Sequence, residues 1–167
     1  MPGTGDQRRP VLTGGCQCGA VRYALYSLPR GTTICHCRMC QKACGGPFEA
    51  LAPVVRADFA WTRGPAGTFR SSSIVERDFC SSCGTPLTYR NLGRDRVSVT
   101  VGSLDEPARA GPVGQYGLES RLPWSTPALL ELPGVETDAS YAGLTSYQHP
   151  DHDTQSWSPQ HGETSPS

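Results

Sequence analysis

The stretch Gly14-Gly15-Cys16-Gln17-Cys18-Gly19 and its later counterpart Cys80-Ser81-Ser82-Cys83-Gly84 decide the fold. In each, two cysteines are separated by one or two residues and a glycine follows the second. A disulfide inside so short a pair closes a small strained ring. Glycine after the second cysteine instead permits a tight turn whose backbone N–H groups face the sulfurs. Two such knuckles from distant segments can give four thiolates to one tetrahedral ion, because metal–sulfur bonds are only ~2.3 Å long. The glycines therefore pair Cys16 and Cys18 with Cys80 and Cys83 in a closed structural site. That site clips the first strand to the segment ending near residue 90, and so staples a modest core.

Between the knuckles stands a denser group, Cys35, Cys37, Cys40 and Cys44. Cys35 and Cys37 fall at a strand end, and Cys40 and Cys44 on a short helix. Cys35, Cys37 and Cys40 form a compact triad, and three protein ligands with one open position is the arrangement of a catalytic zinc. Three thiolates give a zinc complex a net charge of about −1, which suits activation of an incoming thiolate better than generation of hydroxide. Cys44 lies four residues after Cys40 on the same helix face. It either packs beside the triad as a small buried thiol or closes it as a fourth ligand. His36 alternates with Cys35 and Cys37 and should point away from them, to pack or hydrogen-bond. Sulfur-only donor sets favour zinc or iron–sulfur chemistry. The separated knuckles do not match the usual iron–sulfur cysteine runs, so two zinc ions are the expected cofactors.

The flanking sequence reads as mainly β. Residues 20–25 alternate, with Val21, Tyr23 and Leu25 on one face, and residues 96–101 do the same with Val97, Val99 and Val101 inward. Residues 32–34, 48–55, 59–63, 68–72, 74–79 and 87–90 make further strands, and Pro53 marks an edge or a bulge. Arg38–Cys44 is the one convincing helix, stopped by Gly45-Gly46. The expected organisation is a polar lead over 1–10, a zinc domain over 11–136 and a solvated polar tail over 137–167. Three of the four histidines (His149, His152 and His161) fall in that tail.

The 167 residues carry zero formal net charge, with no basic footprint for nucleic acid. No run reaches the ~18 apolar residues of a membrane span. The first residues lack the apolar core of a secretory signal, so a reducing cytoplasm is expected, where eight cysteines serve metals rather than disulfides.

Three segments carry a family resemblance: Gly-Gly-Cys-Gln-Cys-Gly-Ala-Val-Arg-Tyr (14–23), Cys-His-Cys-Arg-Met-Cys-Gln-Lys (35–42) and Arg-Asp-Phe-Cys-Ser-Ser-Cys-Gly-Thr-Pro-Leu (77–87). With Val-Thr-Val-Gly-Ser-Leu-Asp (99–105), the chain from about Val11 to about Pro133 resembles the glutathione-dependent formaldehyde-activating enzyme (GFA) family, also called the centromere protein V/GFA family. The resemblance implies a Mss4-like β-sheet fold with one short helix and two zinc sites. By motif, Cys16, Cys18, Cys80 and Cys83 hold the structural zinc, and Cys35, Cys37 and Cys40 the catalytic zinc. The implied activity is that of a carbon–sulfur lyase joining a small-molecule thiol such as glutathione to formaldehyde. Cys44 departs from the family's usual small or hydroxyl residue.

A glutathione-like thiol carries carboxylates, which makes Arg38, Lys42, Arg70, Arg77 and Arg90 candidate anchors. Asp105 and Glu106 read either as an acid/base pair or as a turn after a strand. The rival to the enzyme is a non-catalytic zinc-ribbon-like binding module with two structural zincs.

Overall fold

The computed structural model describes residues 8–125, 131–134 and 145–157. Among these residues, ten strands and one α-helix make up a mainly β architecture. A three-stranded antiparallel sheet is ordered β1 (Leu12–Gly15), β2 (Arg22–Leu25), β5 (Phe59–Arg63). A seven-stranded sheet is ordered β10 (Gly114–Tyr116), β3 (Thr33–Cys35), β4 (Glu49–Val55), β9 (Arg96–Thr100), β8 (Pro86–Asn91), β7 (Val75–Phe79), β6 (Gly67–Ser72). All of its pairings are antiparallel except that of β10 with β3. Buried Leu12, Val21, Tyr23, Leu25, Ala52, Val54, Leu87 and Val99 make the core. No helix among the described residues is long and apolar enough to cross a membrane.

The helix α1 (Arg38–Cys44) has the bounds its sequence predicts. Cys37 caps its start, accepting a hydrogen bond from the Cys40 N–H at 3.4 Å, and Gly45 ends it in the left-handed region at φ 69°. Pro53 lies in an interior strand, not at a sheet edge, opposite Ser98 of β9. β3 reaches only as far as Leu51 on β4, so the next stretch of β4 has no strand partner on that side. The Pro53 carbonyl faces that gap and accepts from Arg30 N–H, so its nitrogen, on the same side, costs the sheet no hydrogen bond.

Part of the segment expected to be a solvated tail is docked on the domain. His149 is only 3% exposed, and its N–H donates to the Gln17 carbonyl at 2.8 Å. The Trp157 indole donates to the Cys18 carbonyl at 2.7 Å, Arg63 donates to the Thr154 carbonyl, and Arg22 donates to Asp153. Polarity misleads here because arginine pairs and two rings, rather than an apolar stripe, make the contact. His152 is exposed. Residues 1–7, 126–130, 135–144 and 158–167 lie outside the described residues, His161 among them.

Candidate metal centres and active site

The two knuckles meet. Cys16 and Cys18 follow β1, Cys80 and Cys83 follow β7, and their four sulfurs all lie within 4.8 Å of one another. Gly19 and Gly84 sit at φ 75° and 78°, and their N–H groups donate to the Cys16 and Cys80 carbonyls to close each turn. A tetrahedral ion with ~2.3 Å bonds needs sulfurs ~3.8 Å apart. Cys16 and Cys18 are 3.6 Å apart, and Cys18 and Cys80 3.8 Å. Burial pushes the Cys16 thiol up to about 12, against a hydrogen bond from the Val21 N–H. Burial acts upward on Cys83 as well, but hydrogen bonds from Thr85 prevail and bring it down to about 6. Four sulfurs packed so closely repel one another as thiolates, and a cation at their centre removes that repulsion. The donor set fits a four-sulfur metal site.

The second cluster holds three sulfurs. Cys35 ends β3, Cys37 caps α1 and Cys40 sits in its first turn, and the three sulfurs lie within 4.8 Å of one another. Cys44 stands outside this cluster, its thiol donating to the Phe48 carbonyl at 3.1 Å. His36 points away, its Nε2 2.8 Å from Gln115 Oε1 and its ring against Phe48. Among the described residues, then, no fourth His, Cys, Asp or Glu completes the group.

Arg77 donates a hydrogen bond to the cluster from a buried ion pair. Its Nη2 donates to Cys40 Sγ at 3.2 Å, while its Nη1 is paired with Glu49 at 2.6 Å, both side chains being buried. The guanidinium also lies 5.1 Å from the Tyr89 ring centroid. Burial raises the Cys40 thiol despite Arg77. Cys37 is held below its ordinary value, because hydrogen bonds led by the Cys40 N–H outweigh its burial.

The three-cysteine cluster opens onto a cavity of about 500 Å³ over the face of the larger sheet. Leu51, Pro53 and Val75 give it an apolar floor, and Met39 and Tyr116 stand exposed at its rim. Arg77 and Tyr89 line it beside the cluster, and Arg94 and Arg96 line it from the turn before β9 and the start of that strand.

The model of the glutathione-dependent formaldehyde-activating enzyme family matches residues 11–118, well over half of the chain. The chain belongs to this family. A Halomonas elongata protein described as a putative glutathione-dependent formaldehyde-activating enzyme is 27% identical over 157 residues, covering 88% of this chain and 94% of that protein. An uncharacterized lyase of Schizosaccharomyces pombe is 33% identical over 81 residues, 48% of this chain, which span only 58% of the lyase's length. A crystal structure of a Rhodobacter sphaeroides protein superposes with a TM-score of 0.52 at 23% identity, over 62% of this chain and 98% of that one, and shares the fold.

Most of the basic residues that the sequence offers as anchors are placed elsewhere in this GFA domain. Arg38 is bonded to Gln41, Arg70 pairs with Glu76, and Arg90 pairs with Asp78 and Glu76. Lys42 is exposed and does not line the cavity. Only Arg77 reaches the cavity, and it is committed to Glu49 and Cys40. Asp105 and Glu106 are no acid/base pair. Asp105 is clamped by Arg22 and Thr13 in a different cavity, and Glu106 pairs with Arg109 at the surface. The sequence reading missed Glu49, Arg94 and Arg96. A lone acid among the apolar residues of 48–55 was the available signal for Glu49. The turn sequence Gly93-Arg94-Asp95-Arg96 reads only as solvated charge.

Proposed function

We propose that the protein is a zinc-dependent carbon–sulfur lyase that joins a small-molecule thiol to formaldehyde or a related small aldehyde. The observation that carries this reading is the three-sulfur cluster, without a fourth donor among the described residues, facing a cavity of about 500 Å³. Cys35, Cys37 and Cys40 would hold a catalytic zinc, and Cys16, Cys18, Cys80 and Cys83 a structural one. Held by these three cysteines with one position open, a zinc would supply Lewis-acid stabilisation of a thiolate at that position.

The chain's own residues set the rest. Arg77 donates a charge-assisted hydrogen bond to Cys40 Sγ, which favours that sulfur as a thiolate. Glu49 holds Arg77 in place from behind. The cavity confines thiol and aldehyde together, which replaces a bimolecular encounter by a local one. In the reaction the thiol sulfur forms a bond to the carbonyl carbon, and the C=O double bond becomes C–O⁻. That oxygen takes up the proton the thiol released, giving an S-hydroxymethyl product with no other leaving group. The names of the family and of the two relatives support this class of reaction. Cysteines grouped for metal binding rather than for disulfides fit a reducing compartment such as the cytoplasm.

Native mass spectrometry on wild type and Cys44→Ser, with and without glutathione, tests the reading, together with ¹³C NMR of labelled formaldehyde. The expected result is two zinc ions in both proteins, a thiol adduct, and accelerated formation of the S-hydroxymethyl carbon. A second zinc that is lost in Cys44→Ser, with no thiol adduct, would leave a zinc-stapled binding domain instead.

A further inference from the structure

We infer that the stretch from Gly114 to Ser120 is a backing strap that holds the three-cysteine turn in its ligating shape, with Gln41 and Gly117 as the positioning residues. The inference rests on the metal reading of Cys35, Cys37 and Cys40 above and adds what presets them. β3 has three residues and α1 seven, too few to fix the turn between them unaided. β10 is an exposed edge strand that buries no apolar side chain. Its bonds run to the turn instead. Tyr116 lies opposite Cys35, and the Tyr116 carbonyl accepts from the His36 N–H at 2.9 Å, one residue beyond the end of β3. Gln115 Oε1 accepts from His36 Nε2 at 2.8 Å. The strap thus holds His36, which stands between two of the sulfurs, by both its backbone and its ring.

Gln41 closes the arrangement from the helix side. It is buried, and its Nε2 donates to the His36 carbonyl at 2.7 Å and to the Ser120 carbonyl at 3.0 Å. The two hydrogens of one amide nitrogen therefore tie the turn to the strap, while Oε1 accepts from Arg38. Gly117 sets how closely the strap approaches. It sits at φ 67°, and a Cβ there would stand 2.7 Å from the Cys37 nitrogen and 3.1 Å from the Cys37 Cβ. A side chain at this position would push the strap and Cys37 apart. A turn ordered before the metal arrives leaves less chain to order on binding, so affinity rises without a further ligand.

The test titrates the zinc-loaded full chain with a chelator, pulses it with N-ethylmaleimide and reads each cysteine by peptide mass spectrometry, so that each cluster reports its own zinc. Gln41→Leu should bare Cys35, Cys37 and Cys40 at a free-zinc level about 10–100-fold higher than wild type. The four-cysteine site should be unchanged. Gly117→Ala should shift the same three cysteines by about tenfold. Gly31→Ala carries the same left-handed backbone with no atom within 4 Å of the new Cβ, and should not shift them. Gln115→Leu should weaken the cluster, and Gln115→Glu, which still offers His36 an acceptor, should restore it. Val54→Ala, a truncation in the core, should lower overall stability and leave the ratio of the two affinities as in wild type. Equal shifts at both clusters, or an unchanged three-cysteine cluster in Gln41→Leu and Gly117→Ala, overturn the inference. Selective weakening in a protein that fails to convert formaldehyde would refute the reaction and leave the strap standing. Conversion by a protein whose cluster ignores the strap variants would do the reverse.

Discussion

Replacing Arg77 by Met removes one of two buried charges and leaves the other without its partner. Glu49 is 3% exposed, and its Oε2 lies 2.6 Å from Arg77 Nη1. Stranding a buried charge costs about 3–5 kcal/mol, far more than the pair itself contributes over an apolar substitute. Glu49→Gln keeps the shape and leaves Arg77 its bond to Cys40 Sγ, so the cost should fall to about 1–3 kcal/mol. In the double variant Arg77→Met/Glu49→Gln no charge is stranded. Its loss should therefore undercut the sum of the single losses by more than about 1.5 kcal/mol. Urea unfolding of the zinc-loaded proteins, followed by far-UV circular dichroism at fixed free zinc, gives all four corners of the cycle. A cost below about 1 kcal/mol for Arg77→Met, additive with that of Glu49→Gln, would show that the pair is hydrated and that Arg77 is not held by Glu49.

Three other outcomes are expected. Cys44→Ser should retain two metal equivalents and lose less than about 1.5 kcal/mol, because a hydroxyl can also donate to the Phe48 carbonyl; inductively coupled plasma mass spectrometry showing one equivalent would make Cys44 a ligand. Burial raises the Asp78 carboxyl, but hydrogen bonds from Arg90, Thr88 and Thr68 prevail and hold it below its ordinary value. Its contribution is therefore present above about pH 4 and fades as pH falls through the folded value. Asp78→Asn should cost about 2–3 kcal/mol at pH 7 and much less near pH 2, and equal costs at both would contradict the ion cluster. A chain ending at residue 144 loses the Trp157 bond to the Cys18 carbonyl and the His149 bond to Gln17. Its four-cysteine site should yield metal to a chromogenic chelator about tenfold faster, and an unchanged rate would mean the docked segment does not shield the site.

The grouping of the cysteines was legible because its constraints are local. A glycine after a cysteine pair announces a left-handed turn, and both Gly19 and Gly84 adopt it. The helix was equally local, bounded by a capping thiol and Gly45. Alternation over residues 20–25 correctly buries Val21, Tyr23 and Leu25 but says nothing of Arg22, which is just as buried. Arg22 is covered by Asp105 and by the segment 145–157, partners 83 and 131 residues away that no window of sequence contains. Strand β10 was missed for a similar reason. Its three exposed residues carry no apolar pattern, and its pairing with β3 alone makes it a strand. Arg94 and Arg96 escaped because an exposed charge in a turn becomes informative only when the floor beneath it is known.

The contrast between the two cysteine clusters follows from how the chain delivers each sulfur. In the four-cysteine site two separate knuckles approach from β1 and β7, each contributing two sulfurs, so the coordination closes on itself. In the three-cysteine site all donors come from one continuous turn, Cys35 through Cys40, and one turn covers only one side of an ion. The next sulfur along, Cys44, is close enough in sequence to complete the set, but α1 ends there and its thiol is spent on the Phe48 carbonyl. What lies opposite the turn is the cavity, not another strand. The buried Arg77 donates a hydrogen bond to Cys40 Sγ from beside the turn, its own charge balanced by Glu49. Openness and access thus arise from one local arrangement: three sulfurs delivered by a single turn, with the next cysteine bonded to the Phe48 carbonyl instead.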